Sequence, residues 1–306
     1  YRTHVNLTNP PMAIVKDLAN FDHAVSDMFK QPKSAAEWEQ YKLSDEQLAH
    51  FHEFGYVSGI KLLEEWQVDK LNQELAEIMD PDHPGNHLFY EFHSNESQDP
   101  NSVLFHSLGH WRITPGFHDV LWNPAFTMAA HQLLNTKSVR FWHDQLFCKP
   151  ARHGGVVAWH QDYSYWTRTI AMQHLTCWTG LDDANMDNGC LHYIPKSHKW
   201  GLLDAPSLAG DMDGLMKYLS EDQKKEFKPT AIELKKGFAT FHHPLMVHGS
   251  YENKSERSRR AFVLNVFADG TVSNTDDELL AGVPKVPKGH KMEGKFFPLL
   301  YTPQYS

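Results

Sequence analysis

The sequence has no uninterrupted apolar run approaching the roughly 20 residues of a membrane-spanning helix, so it reads as a soluble chain with no membrane partner. Cysteine is scarce: Cys148, Cys177 and Cys190 form an odd set without zinc-ligand spacing, and two of them sit in strand-like apolar runs. That excludes a disulfide framework and points to reduced, buried thiols. Basic charge is also in deficit, with 29 Lys and Arg against 38 Asp and Glu and a net charge of -9, so a nucleic-acid partner is not expected. The single basic run, Lys254 to Arg260, is interrupted by acid and leads straight into a strand-like segment, which makes it a poor phosphate patch. Residues 1–25 lack a basic start followed by an apolar stretch and a small-residue cleavage site, so the cytoplasm is the expected compartment. Internal repeats and low-complexity stretches are absent too.

What the sequence does have is enough apolar residue, 41% with 12% aromatic, for a sizeable core. We expect one elaborated domain over 1–306, with a helical N-terminal part, 1–137, ahead of a β core, 138–268. In the first part SDEQLAHFHEFG offers Ser44 as a helix N-cap and Gly55 as a stop, EEWQVDKLNQELAEIMD carries apolar residues at helical spacing, and PAFTMAAHQLL follows a turn at Asn123 and Pro124. From about 138 the pattern becomes eight short apolar runs between turn signals: SVRFWHDQLFCK, GGVVAWHQD, MQHLTCWTGL, GCLHYIP, TAIEL, GFATFHH, MVHGS and AFVLNVFADG. The fold class this suggests is mainly β, a double-stranded β-helix (jelly-roll, cupin-like) core with flanking α-helices, enclosing a ligand cavity between its sheets. A partly helical insertion at about 199–229 and the tail 269–306 are candidates for covering the cavity mouth.

Iron(II) that must accept O₂ and a co-substrate together is commonly held by two histidines and one carboxylate on one face. Residues i and i+2 of a strand point the same way, so His160 and Asp162 in WHQDYSYW can reach one ion. With 21 His and 38 acidic residues, roughly two or three such pairs arise by chance. This chain has only one, and it closes an apolar run. His242, His243 and His248 compete for the distant position, but only His248 is followed by a return loop and a strand that begins with arginines. Across such a strand pair an arginine fork can take a carboxylate bidentately. Arg259 shares a face with Ala261, Val263 and Asn265, whereas Arg260 shares one with Phe262, Leu264 and Val266. The small, polar face suits a cavity, so Arg259 is the better candidate and Arg260 reads as a solvated or structural ion-pair residue.

Four blocks in this order, WHQDYSYW, CWTGLDDANMDNGCLHYIPKSHKWG, GFATFHHPLMVHGS and NKSERSRRAF, resemble the phytanoyl-CoA dioxygenase family of iron(II)/2-oxoglutarate-dependent oxygenases over about 138–268. The resemblance implies iron ligation by His160, Asp162 and His248. It also implies that Arg259, eleven positions past the last histidine, holds the distal carboxylate of 2-oxoglutarate. Gln161, Trp178 and Ser250 are implied to line the oxoacid pocket, although a tryptophan in a strand is as readily an ordinary core residue. Some members use an upstream lysine for the oxoacid; FHSLGHWRITPGFHDVLW has none, and that role is left unassigned. Asn188, Gly189 and Pro195 read as a structural hairpin, and His192 and His198 as hydrogen-bonded scaffold.

The implied reaction decarboxylates 2-oxoglutarate to succinate and CO₂ with O₂ as the other co-substrate. Related halogenases have Gly or Ala where Asp162 stands, so hydroxylation or a related oxidation is expected here. Tyr163, Tyr165 and Trp166 suggest a pocket for a small metabolite with apolar or cationic surface, at least one of them serving packing instead. Nothing basic marks a mouth for a CoA thioester. A cupin-type metalloenzyme working without 2-oxoglutarate would be indifferent to Arg259. A zinc hydrolase on the same ligands would need no O₂, and a catalytically silent metal-binding module would consume no oxoacid.

Overall fold

The computed structural model describes residues 15–303, so most of the N-terminal stretch read for export signals lies outside the described residues. Among those described, no helix is long and apolar enough to cross a membrane. The chain begins with α1 (Ala35–Glu39) and α2 (Asp45–Phe54). In α2 Ser44 and Gln47 form a reciprocal capping box, and Gly55 ends the helix at φ 86°, a left-handed conformation that costs glycine least. There follow β1 (Tyr56–Lys61), α3 (Glu65–Ile78), β2 (Glu91–His93), β3 (Phe105–Leu108), α4 (Pro115–Asp119) and α5 (Pro124–Leu133). The expected helices are present, but β1, β2 and β3 correct the helical reading of this part. A register shift between Ser58 and Ile60 breaks the alternation of β1, β2 has only three residues, and all four residues of β3 are buried, so none shows a clean alternation.

Each of the eight apolar runs carries a strand. They appear as β4 (Val139–Lys149) and β5 (Val157–His160), then, past the two-residue β6 (Thr169–Ile170), as β7 (His174–Gly180) and β8 (Leu191–Tyr193). α6 (Glu221–Glu226) lies in the expected insertion. β9 (Thr230–Ile232), β10 (Phe238–His242), β11 (His248–Ser250) and β12 (Arg259–Ala268) complete the eight, and the tail adds β13 (Val272–Ser273) and β14 (Leu299–Tyr301).

These strands build two main antiparallel sheets, and β6 and β13 pair separately as a two-stranded one. The larger runs β1-β10-β7-β12-β4-β3-β2 with β14 on β4, and the smaller runs β5-β11-β8-β9. One face of the large sheet, with Phe262, Leu264 and Val266, packs on α3 and α5. Its other face packs Trp178, Ala261 and Val263 against Leu191 and Tyr193 of the small sheet. The parity read along β12 therefore divides a helix-covered face from an inter-sheet face. Cys148, Cys177 and Cys190 are free and buried, and burial pushes the Cys148 thiol up to about 12, which leaves it unreactive.

Candidate active site

β11 pairs antiparallel with β5 so that His248 stands directly across from His160. Gly249 permits this closeness, because a Cβ there would lie 2.8 Å from the Val157 carbonyl oxygen. His160 Nδ1 donates to the Ala158 carbonyl at 2.7 Å and His248 Nδ1 to that of Met246 at 2.9 Å. Each bond fixes the tautomer and leaves Nε2 with a free lone pair. Both Nε2 atoms face Asp162 Oδ1, at 3.3 and 3.4 Å. The three ligand atoms lie within 4.8 Å of one another. Burial alone would raise the Asp162 carboxyl, but the imidazoles of His248, His160 and His242 gathered around it outweigh that and hold the group well below the usual carboxylate range. His248 is driven far below its ordinary value by burial, so it is neutral at physiological pH, as a metal ligand must be.

The second oxygen of Asp162 is occupied from behind. Thr176 donates to Oδ2 at 2.7 Å, and His242 Nε2 stands 2.8 Å from the same atom. His242 thus meets the carboxylate rather than joining the ligand group, and His243 accepts the Leu245 backbone N–H to shape the following loop. The sequence alone did not separate these two neighbours.

Arg259 opens β12 with its side chain between the sheets, 1% exposed, its guanidinium 5.3 Å from the centre of the Trp178 ring. Its Nε and Nη2 have no hydrogen-bond partner, and burial pushes its pKa down to about 10. Directly across the strand pair is Lys149, also fully buried, whose Nζ donates to Ser250 Oγ at 2.8 Å and to the Tyr251 carbonyl at 2.5 Å. Burial, then the Arg259 charge, drives the ammonium well below its ordinary value. Among the described residues neither cation has a carboxylate partner. Lys149 escaped the sequence reading because a lysine at a strand end looks solvated; its pairing with Arg259 across two apolar strands was the available signal. Arg260, on the opposite face, forks onto Asp182 at 2.9 and 2.7 Å, the structural ion pair expected of it.

His160, Asp162, Trp178, His248, Ser250 and Arg259 line one cavity of about 590 Å³. Gln161 does not. It points away from its two neighbours, donating to the carbonyls of Gly201 and Leu245 and accepting the Leu203 N–H, which ties the insertion to the ligand-bearing turn. Tyr165 and Trp166 face the cavity, whereas the Tyr163 hydroxyl donates to the Thr169 carbonyl. His192 sits over the Cys190 carbonyl and His198 over that of His52, both outside the ligand group. Glu278, Leu279 and Leu280 of the tail and Leu208 of the insertion reach the cavity, as their expected covering role requires.

The fold resembles that of the epimerase SnoN from nogalamycin biosynthesis, solved with Fe3+, alpha ketoglutarate and nogalamycin RO, with a TM-score of 0.69, 18% identity, and coverage of 88% of this chain and 100% of that one. Among relatives, phytanoyl-CoA dioxygenase domain-containing protein 1 of Bos taurus is 34% identical over 161 residues, covering 50% of each protein. Phytanoyl-CoA dioxygenase of Arabidopsis thaliana is 27% identical over 255 residues, 73% of this chain and 88% of that protein. The chain thus spans half the length of the bovine relative and most of the plant one. The family model for phytanoyl-CoA dioxygenase (PhyH) matches residues 51–261, a stretch that holds His160, Asp162, His248 and Arg259, and the chain belongs to that family of iron(II)/2-oxoglutarate-dependent oxygenases.

Proposed function

We propose that this protein is an iron(II)- and 2-oxoglutarate-dependent dioxygenase that hydroxylates, or otherwise oxidises, a small metabolite while 2-oxoglutarate and O₂ are converted to succinate and CO₂. The observation that carries this reading is the juxtaposition, in one cavity, of a two-histidine, one-carboxylate donor set with an arginine whose two free donors are buried without an anion. The donor set fits iron(II): neutral imidazoles and one carboxylate on one side, leaving the cavity side open. The orphaned Arg259 donors fit a carboxylate end, and Ser250, held by Lys149 Nζ, supplies a hydroxyl nearby. Bound there, iron and the oxoacid would supply oxygen activation. The chain's own part is to present Nε2 of both histidines, to seat the oxoacid, and to exclude water with Trp142, Trp166 and the tail residues Leu279 and Leu280. We read the whole chain as one oxygenase domain with a double-stranded β-helix core.

The cavity volume and its aromatic wall favour a small, neutral or cationic substrate over a CoA thioester. At the mouth Glu278 is exposed, and Arg168 is held by the carbonyls of Glu278 and Leu279, so no cluster of cations for CoA phosphates stands there among the described residues that line the cavity. The test is anaerobic addition of iron(II) and 2-oxoglutarate to metal-free protein. A weak visible charge-transfer band is expected, and its absence in folded, metal-loaded protein overturns the proposal. Chelation should abolish substrate-stimulated succinate release, with iron(II) but not zinc restoring it.

A further inference from the structure

Asp162 must offer one oxygen to the metal and keep the other away from it, and a free carboxylate can swing or bind through both. In this chain the two oxygens have different surroundings. Oδ1 faces the Nε2 atoms of His160 and His248, while Oδ2 receives the Thr176 hydroxyl at 2.7 Å and His242 Nε2 at 2.8 Å. His242 is 1% exposed and comes from β10 of the large sheet, so it reaches the carboxylate from the wall opposite β5 and β11.

The tautomer of His242 follows from the bonds on its two sides. Its Nδ1 is 2.8 Å from the Tyr193 hydroxyl, and its Nε2 is 2.8 Å from Asp162 Oδ2. A carboxylate oxygen only accepts, so Nε2 is the donor and the Tyr193 hydroxyl donates to Nδ1. Nδ1 then accepts, and Nε2 carries the hydrogen that Asp162 Oδ2 receives. Tyr193, His242 and Asp162 form a directed chain from the core between the sheets to the ligand, every member buried or nearly so.

We infer that His242, oriented by Tyr193, is a positioning residue that pins Asp162 through Oδ2, so that a bound metal would meet the carboxylate through Oδ1 alone and room would be left for the oxoacid and O₂. This rests on the proposed ligand set. Outer partners of this kind typically change metal affinity or activity by roughly 10- to 100-fold when removed.

The test uses Co(II) as the probe, titrated anaerobically into folded, metal-free full-length protein and followed by its visible d–d absorption. His242→Phe should weaken Co(II) binding by about 10- to 100-fold and alter the band shape as Asp162 swings. His242→Gln, which keeps an N–H donor within reach of Oδ2, should restore affinity to within about threefold, and Tyr193→Phe should fall between. If His242→Phe fails to fold, His242→Asn, whose amide stops short of the carboxylate, takes its place against His242→Gln. A purely structural role would lower melting temperature yet leave Co(II) affinity and band shape unchanged in the folded variants, which overturns the inference. A loss as complete as that of His248→Ala would make His242 a fourth ligand and overturn it as well. If His248→Ala itself binds Co(II) normally, the ligand set has failed rather than the role of His242.

Discussion

Replacing Arg259 by methionine is expected to move stability and function in opposite directions. The guanidinium is buried, its Nε and Nη2 are unpartnered, and burial pushes its pKa from 12.5 to about 10. At 1.36 kcal/mol per unit the charged form is disfavoured in the fold by about 3 kcal/mol. The sign follows from the folded group losing its proton at lower pH than the unfolded one. The cost is therefore fully present below about pH 10 and fades only as pH climbs towards 12.5. Methionine fills similar volume without charge, at the expense of about 1 kcal/mol from the contact with Trp178. The metal-free variant should thus be more stable than the parent at neutral pH, by about 2 kcal/mol in urea denaturation. The same substitution removes the fork that receives the oxoacid, and truncating a buried charge partner costs about 2–5 kcal/mol. Affinity for 2-oxoglutarate, titrated anaerobically onto metal-loaded protein, should fall by roughly 10²- to 10³-fold. A variant less stable than the parent, or one whose oxoacid affinity changes only a few-fold, would refute the reasoning.

Lys149→Met should raise the KM for 2-oxoglutarate by about tenfold with a smaller change in kcat, because the cavity-lining Ser250 loses its buried donor; an unchanged KM counts against that role. Arg260→Ala should leave oxoacid affinity unchanged and cost no more than about 1 kcal/mol of stability, since its partner Asp182 is within reach of solvent. His174 is held down to about 3 by burial, so the fold loses stability as pH falls from 6.5 towards 3 while the unfolded imidazole takes up its proton first. His174→Gln should flatten that acid limb, and the difference in urea midpoint between the two proteins should be greatest at the acid end; parallel pH profiles would exclude the group as the cause.

The pairing of His160 with Asp162 and the choice of Arg259 over Arg260 were legible because an extended chain's period of two assigns faces without knowledge of its partners, whereas His248 rested on its return loop and the family resemblance. The same rule argues against Gln161 as a pocket residue, since it lies between two inward-facing ligands, and there the alternation outweighs the family resemblance. Tertiary pairing decided the rest. Lys149 acquires its surroundings only when β4 pairs with β12, and His242 and His243 are equivalent in sequence until β10 ends and the chain turns between them. β3 was missed because both its faces are covered, leaving no polar positions to mark a period.

The contacts of Gln161 give the insertion a mechanical consequence. One amide, held between His160 and Asp162, fastens Gly201 and Leu203 at the root of that segment and Leu245 on the approach to His248. The covering segment and the turns that carry His160, Asp162 and His248 therefore share one anchor, and displacement at its root acts on the side chains proposed to hold the metal. Exchanging the insertion with that of another oxygenase to alter substrate choice should therefore splice beyond Leu203, so that the graft inherits the anchor and the catalytic geometry stays with the host.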